Sequence, residues 1–195
     1  DECGYNFVIM VKGMSSIVNQ LVLKNKGKFE NKRIHNISDY RVSGITVKSK
    51  LYVSDEKDRD FHIYHSPSKE NAERESIETR IEHMKKFMKS HSNKAREFGS
   101  GFEKYFELYY DEEKKTFLFP LEKAKIIENE IDLCGYFCII TSEKMTAKEA
   151  LNLYKSRDAS EKLFRGDKSY LGNKSLRVYS DESASAKIFV EFIAL

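Results

Sequence analysis

Four side chains in the last third of the chain, Tyr154, Arg157, Glu161 and Lys168, stand three, four and seven residues apart. Those steps stack side chains along one side of a helix. Their types suit work on a phosphodiester. A carboxylate such as Glu161 can hold a divalent metal together with other carboxylates, and two metals about 3.5–4 Å apart stabilise the attacking and leaving oxygens alike. Arg157 can grip a phosphate through two parallel hydrogen bonds, Lys168 can stand as a point charge, and Tyr154 can donate a hydrogen bond. One carboxylate alone binds catalytic metal poorly. The plainer reading of the same residues is an exposed charged helix with pairs such as Arg157 to Glu161, each worth a few tenths of a kcal/mol.

The elements that would position these groups are readable just upstream. "CGYFCIITS" (Cys134 to Ser142) is an apolar run that reads as a buried strand, and Thr146-Ala147-Lys148-Glu149 behind it is a capping box. A helix is therefore expected from Ala147 for about five turns to Arg165, with Gly166 as its end or a bend. If it continues past Gly166, the file from Tyr154 to Lys168 is about 21 Å long, enough to follow several phosphates of a nucleic-acid backbone. Strand, short loop and long helix form the punctuation of an α/β protein.

Earlier in the chain, "YNFVIMVKG" (Tyr5 to Gly13) reads as a strand buried on both faces, best placed inside a sheet flanked by helices. From about Ser15 to Asp60 the text changes, and "TVKSKLYVS" and "DFHIYHS" suggest antiparallel strands with one wet face, an insertion and not a continuation of the first sheet. After Pro67, Ile77, Ile81, Met84 and Met88 fall at helical spacing and mark an amphipathic helix packed by that stripe. Phe102 to Pro120 reads as a hairpin turning at "DEEKK", followed by a short helix around Lys123 to Glu130. Three segments follow: a core strand in 1–14, a mixed β-rich and helical insertion in 15–132, and a closing part in 133–195 with the Glu-bearing helix.

Composition sets the outer limits. The chain has 195 residues, enough for one domain with a large insertion, and its 40% hydrophobic and 33% charged residues are those of a globular protein. With 34 Lys and Arg against 31 Asp and Glu the net charge is only +3, so any basic surface must be local. Cys3, Cys134 and Cys138 do not make a disulfide framework, which points to a reducing, cytoplasmic compartment. No apolar run approaches the roughly 20 residues of a membrane span. The chain opens without an initiator Met and stops within the apolar "AKIFVEFIAL", so both ends read as cuts in a longer protein.

The pattern Tyr-(2)-Arg-(3)-Glu-(6)-Lys, filled without a gap by Tyr154, Arg157, Glu161 and Lys168, resembles the signature of bacterial insertion-sequence transposases of the insertion-sequence-four type. "GYFCIITS", "SEKLFRGDKSYLGNKSLRVYSDES" and "AKIFVEFIAL" are similar to the tail of that family. The resemblance implies an α/β, ribonuclease-H-like core with a β-rich insertion before the last catalytic acid. It implies that Glu161 is the glutamate which, with two aspartates, holds two Mg²⁺ (or Mn²⁺) ions for DNA cleavage and strand transfer. It implies that Tyr154, Arg157 and Lys168 contact phosphates of transposon-end DNA, and that the protein works as a homodimer on that DNA. Both family aspartates belong upstream of this chain or near its start. Asp1 has Gly4 and Tyr5 close behind it, as the second aspartate would, but the strand follows so soon that Asp1 reads as its lead-in. The chain alone is therefore expected to be inactive.

Other candidates carry less. The five histidines, His35, His62, His65, His83 and His91, form no HExxH pattern, and His62 and His65 fall on opposite faces of one strand. Thr141 and Ser142 suit capping or turn duty as well as contact with DNA. Arg165, Lys174 and Arg177, interleaved with Tyr170 and Tyr179, make a basic edge or a solvated loop. Two other functional readings compete: a non-catalytic DNA-binding or interaction remnant of a truncated transposase, and a host nuclease with the same core.

Overall fold

The computed structural model describes residues 6–11, 16–52, 54–55, 57–157 and 180–194, and they form a mixed α/β structure. Along the chain these are β1 (Val8–Met10), α1 (Ser16–Asn25), β2 (Asn36–Ile37), β3 (Val42–Ser49), β4 (Arg59–His65) and α2 (Pro67–Lys89). Then come α3 (Ser100–Glu103), β5 (Phe106–Asp111), β6 (Thr116–Glu122), α4 (Ala124–Ile131), β7 (Tyr136–Thr141), α5 (147–157) and α6 (Asp181–Ala194). Five strands make one sheet in the order β1-β7-β4-β3-β2, and β5 and β6 make a separate hairpin. Every pairing is antiparallel.

Two expectations from sequence are corrected here. The apolar run Tyr5 to Gly13 predicts an interior strand, but its strand is three residues long and sits at the described edge of the sheet, paired with β7 alone. Val8 and Met10 pack against the cluster on one face, and Phe7 and Val11, flanking the strand, against the cluster on the other, while Ile9 between them is 55% exposed. The strands of 42–65, read as an insertion apart from the first sheet, instead complete it. The reason lies in β4: Phe61 and Ile63 fill the core on one face and Tyr64 on the other, so the strand is buried on both faces and not wet on one. A strand of that kind needs partners on both edges, and β3 and β7 supply them.

One face of the sheet is covered by α1, whose Val18 and Val22 meet Phe61, Ile63, Cys138 and Ile140. The opposite face is covered by α5 through Ala147 and Leu151, which meet Tyr64, Ile139, Ile37 and Val42. A third cluster lies beyond the sheet, where the stripe Ile77, Ile81 and Met88 of α2 meets Phe106 and Phe117 of the hairpin and Ile127 of α4. The expected amphipathic helix, hairpin and short helix are thus present. Ser66 caps α2 by accepting from the Lys69 N–H at 3.4 Å, with Pro67 in the first helical position. Asp111 Oδ1 accepts from the N–H groups of Glu113 and Lys114 at 3.0 and 2.9 Å and closes the hairpin turn. Glu130 ties this third cluster together. Burial opposes its ionisation, yet hydrogen bonds from Lys104, Tyr105 and Arg80 outweigh that and hold its carboxyl below the usual range.

The start of α2 is locked to the turn before β7. Ser66 N–H donates to the Gly135 carbonyl at 3.0 Å, and the Gly135 N–H donates to Glu73 Oε2 at 2.8 Å. Gly135 has φ +84°, and a Cβ there would lie 2.7 Å from Glu70 Cβ, so only glycine fits this seam.

Candidate functional site

The expected helix starts where its capping box places it. The Thr146 N–H donates to Glu149 Oε2 at 2.8 Å and the Glu149 N–H donates back to Thr146 Oγ1 at 3.3 Å. These bonds hold the Glu149 carboxyl below its usual range. Three faces of α5 follow from its period. Ala147, Ala150 and Leu151 are buried on the sheet, Tyr154 is half-buried at the margin of that contact, and Lys148, Lys155 and Arg157 are exposed.

Tyr154 and Arg157 are brought together. The Arg157 Nη2 donates to Tyr154 Oη at 3.2 Å, and its guanidinium lies 4.9 Å from the centre of the Tyr154 ring. The tyrosine ring therefore rests on the sheet-side cluster while its hydroxyl and the arginine face outward as one unit. Glu161, Lys168, Asp1, Arg165, Tyr170, Lys174, Arg177 and Tyr179 lie outside the described residues. Among the described residues no group of three or more His, Cys, Asp or Glu side chains is placed to hold a metal ion.

Thr141 and Ser142 have structural duties. Ser142 Oγ accepts from the Phe7 N–H at 2.8 Å and so fixes the lead-in to β1. Thr141 Oγ1 donates to the Glu143 carbonyl at 2.8 Å and lies 2.9 Å from His62 Nε2. Because its proton is committed, Thr141 accepts from Nε2–H, which leaves Nδ1 of His62 to accept from Thr46 Oγ1 at 2.9 Å. His62 is thereby a neutral, buried bridge across β3, β4 and β7. His65, on the opposite face, packs its ring 4.7 Å from that of Tyr136 and meets Glu70 at 2.9 Å, so the two histidines share no site. Cys134 and Cys138 are free and buried, and burial pushes the Cys138 thiol up to about 12.

Sequence reading missed a groove. β2 pairs with β3 only at Val42 and Ser43, so β3 from Gly44 to Ser49 has no strand on its outer edge among the described residues. Along that edge runs a groove of about 730 Å³, bounded by the loop after α1, by β3 and by the N-terminal end of α5. Lys28, Lys48, Lys144 and Lys148 line it, with Asp60 as its one carboxylate. These lysines come from separate parts of the chain, and no spacing announces them. The alternation of exposed Thr46 and Lys48 along β3 was the only signal available.

No protein-family model, curated protein or solved structure matches this chain. Among the described residues no helix is long and apolar enough to cross a membrane.

Proposed function

We propose that the chain is the C-terminal part of a DDE transposase of the insertion-sequence-four type, supplying the third acid and part of the DNA-end contact of a magnesium-dependent recombinase. One observation supports this reading most. Tyr154 and Arg157, the first half of the four-residue pattern, are joined at the margin of a helix seated on the sheet through Ala147, Leu151 and the Tyr64 hydroxyl. A solvated helix face has no need of a tyrosine seated on the core with an arginine bonded to its hydroxyl. That pairing holds the guanidinium at a fixed place, as phosphate recognition by two parallel bonds requires.

In this reading Arg157 and Tyr154 grip a phosphate at the transposon end, and Lys168 adds a point charge further along. Glu161 acts as the third carboxylate ligand of a Mg²⁺ or Mn²⁺ pair, which supplies activation of water and then of a 3′-hydroxyl. Its two aspartate partners belong, as the resemblance implies, upstream of this chain or near its start. The ribonuclease-H-like core is part of the proposal. In support of it, β1 and β7, the two strands the resemblance assigns to that core, pair directly although some 130 residues separate them. The homodimer on DNA and the cytoplasmic setting belong to the same proposal, and the buried free thiols accord with a reducing compartment.

The test is Mg²⁺- or Mn²⁺-dependent cleavage of a labelled transposon-end duplex by the protein extended upstream of Asp1, beside its Glu161→Gln variant. Cutting by the extended protein and at least a hundredfold loss in Glu161→Gln, with DNA binding kept, is the expected result. Equal cutting by both proteins overturns the assignment of Glu161 and with it the transposase reading.

A further inference from the structure

The groove along the free edge of β3 is a basic concave surface that borders α5. Lys28, Lys48 and Lys144 line it without an ion pair to any described residue, whereas Lys148 meets Asp39 at 3.0 Å. The one carboxylate in the lining, Asp60, is only 7% exposed and makes no ion pair among the described residues. Lys48 stands directly opposite Asp60 in the β3–β4 register, and the Lys28 ammonium, on the α1 side, donates to the Lys24 carbonyl. The whole chain carries only +3, so a basic surface on it has to be local, as this one is. The helix terminus is not the source of this field, because Glu149 already occupies the Thr146 end of α5. The lysines carry it.

We propose that this groove holds the sugar–phosphate backbone of a DNA strand, which then continues along the flank of α5 that carries Lys148 and Lys155. The inference rests on the transposase reading for the identity of the polyanion. Its geometry is independent of that reading. Lys144 and Lys148 open the groove onto α5, and Lys155 stands seven residues beyond Lys148 on the same helical file. That step is about 10 Å along the axis, close to three nucleotide rises of 3.4 Å on one DNA strand. An acidic peptide added as a strand to β3 would use the same backbone edge, but it would have no use for cations that continue up the helix.

The experiment measures binding of a labelled DNA duplex and of its single strand to the 195-residue chain by fluorescence anisotropy at several salt concentrations. Lys48→Glu with Lys144→Glu is compared with Lys114→Glu with Lys125→Glu, a control with the same change in net charge on exposed lysines of the hairpin turn and α4. The groove variant is expected to weaken binding by about ten- to a hundredfold and to lower the salt slope by about 2, while the control changes affinity less than about threefold. Lys48→Gln with Lys144→Gln, which adds no negative charge, should show the same fall in slope with a smaller loss, and thermal melting verifies that all variants are folded. An equal loss in the control, or no loss in either groove variant, overturns the proposal. Tighter binding of a polyglutamate tracer than of DNA, abolished by the groove variant, overturns it in favour of a peptide. Loss of DNA binding in the groove variant, with metal-dependent cutting by Glu161→Gln intact, keeps the groove and removes the transposase reading. The reverse pattern removes the groove alone.

Discussion

His62 shows how one residue can be decided by its surroundings and not by its chemistry. Fully buried between Thr46 and Thr141, it is held neutral: burial lowers its pKa, and the nearby Asp60 carboxylate only partly offsets this. A histidine whose pKa is depressed in the folded state binds fewer protons there than when unfolded. The unfolded chain therefore gains protons first as pH falls below about 6.5, so stability is full above that value and declines as pH drops toward the lowered folded pKa. Thermal melting of the chain at pH 7.5 and pH 5 should reveal this loss. His62→Gln should cost about 1–3 kcal/mol at pH 7.5, since it disturbs two buried hydrogen bonds, and should flatten the decline between the two pH values. Parallel declines in the two proteins would assign the acid sensitivity to other groups.

At the scale of elements, the seating of α5 on the sheet decides where Tyr154 and Arg157 point. Gly44 on β3 is the tightest part of that seat. A Cβ there would lie 2.8 Å from the Tyr64 ring and 3.2 Å from the Ala147 Cβ, while Tyr64 itself donates its hydroxyl to the Ala147 carbonyl at 2.7 Å. Gly44→Ala should therefore push helix and ring apart, costing about 1–3 kcal/mol and raising amide exchange through 147–157. Unchanged exchange in that helix would show that α5 is held elsewhere. Much of this was legible in the sequence. The Thr146 to Glu149 box gave the first turn of α5, the Ile77, Ile81 and Met88 stripe gave α2, and "DEEKK" gave the hairpin turn, because each signal is local. What escaped was non-local. The apolar text of β1 looked like an interior strand because a run of apolar side chains does not tell how many of them find a partner surface. The union of β3 and β4 with β1 and β7 depends on β7 arriving from more than 70 residues beyond β4, and no period records that. Tyr154 and Arg157 could be paired from spacing alone, whereas the groove lysines, drawn from three separate stretches, could not.

For the whole molecule, the decisive feature is that its apolar interior is divided. Two clusters sandwich the five-stranded sheet, and the third is built from the later turns of α2, the β5–β6 hairpin and α4. Contact between the two parts is polar and lies at the start of α2, the Gly135 turn and the end of α4: Ser66 to Gly135, Gly135 to Glu73, His65 to Glu70, the Lys69 ammonium to the Tyr136 carbonyl at 3.0 Å, and the Lys26 ammonium to the Asp132 carbonyl and carboxylate at 2.9 Å each. Cooperativity across such a seam should be weak, so the hairpin lobe should be able to open while the sheet stays intact. Phe117 and Phe61 are both fully buried, one in each part, and each truncation to alanine should cost about 3–5 kcal/mol locally. Hydrogen exchange followed by mass spectrometry distinguishes the consequences. In Phe117→Ala, protection should fall in β5, β6, α4 and the second half of α2 but persist in β4 and β7. In Phe61→Ala it should fall in α1, whose Val18 and Val22 share its cluster, and in β3, β4 and β7, and α5 should loosen as the sheet beneath it opens. Equal loss in β4 and β7 from both substitutions would mean that the chain unfolds as one unit. A confined response would separate the platform beneath Tyr154, Arg157 and the lysine groove from the hairpin lobe, and changes in that lobe would then leave DNA binding at the groove intact.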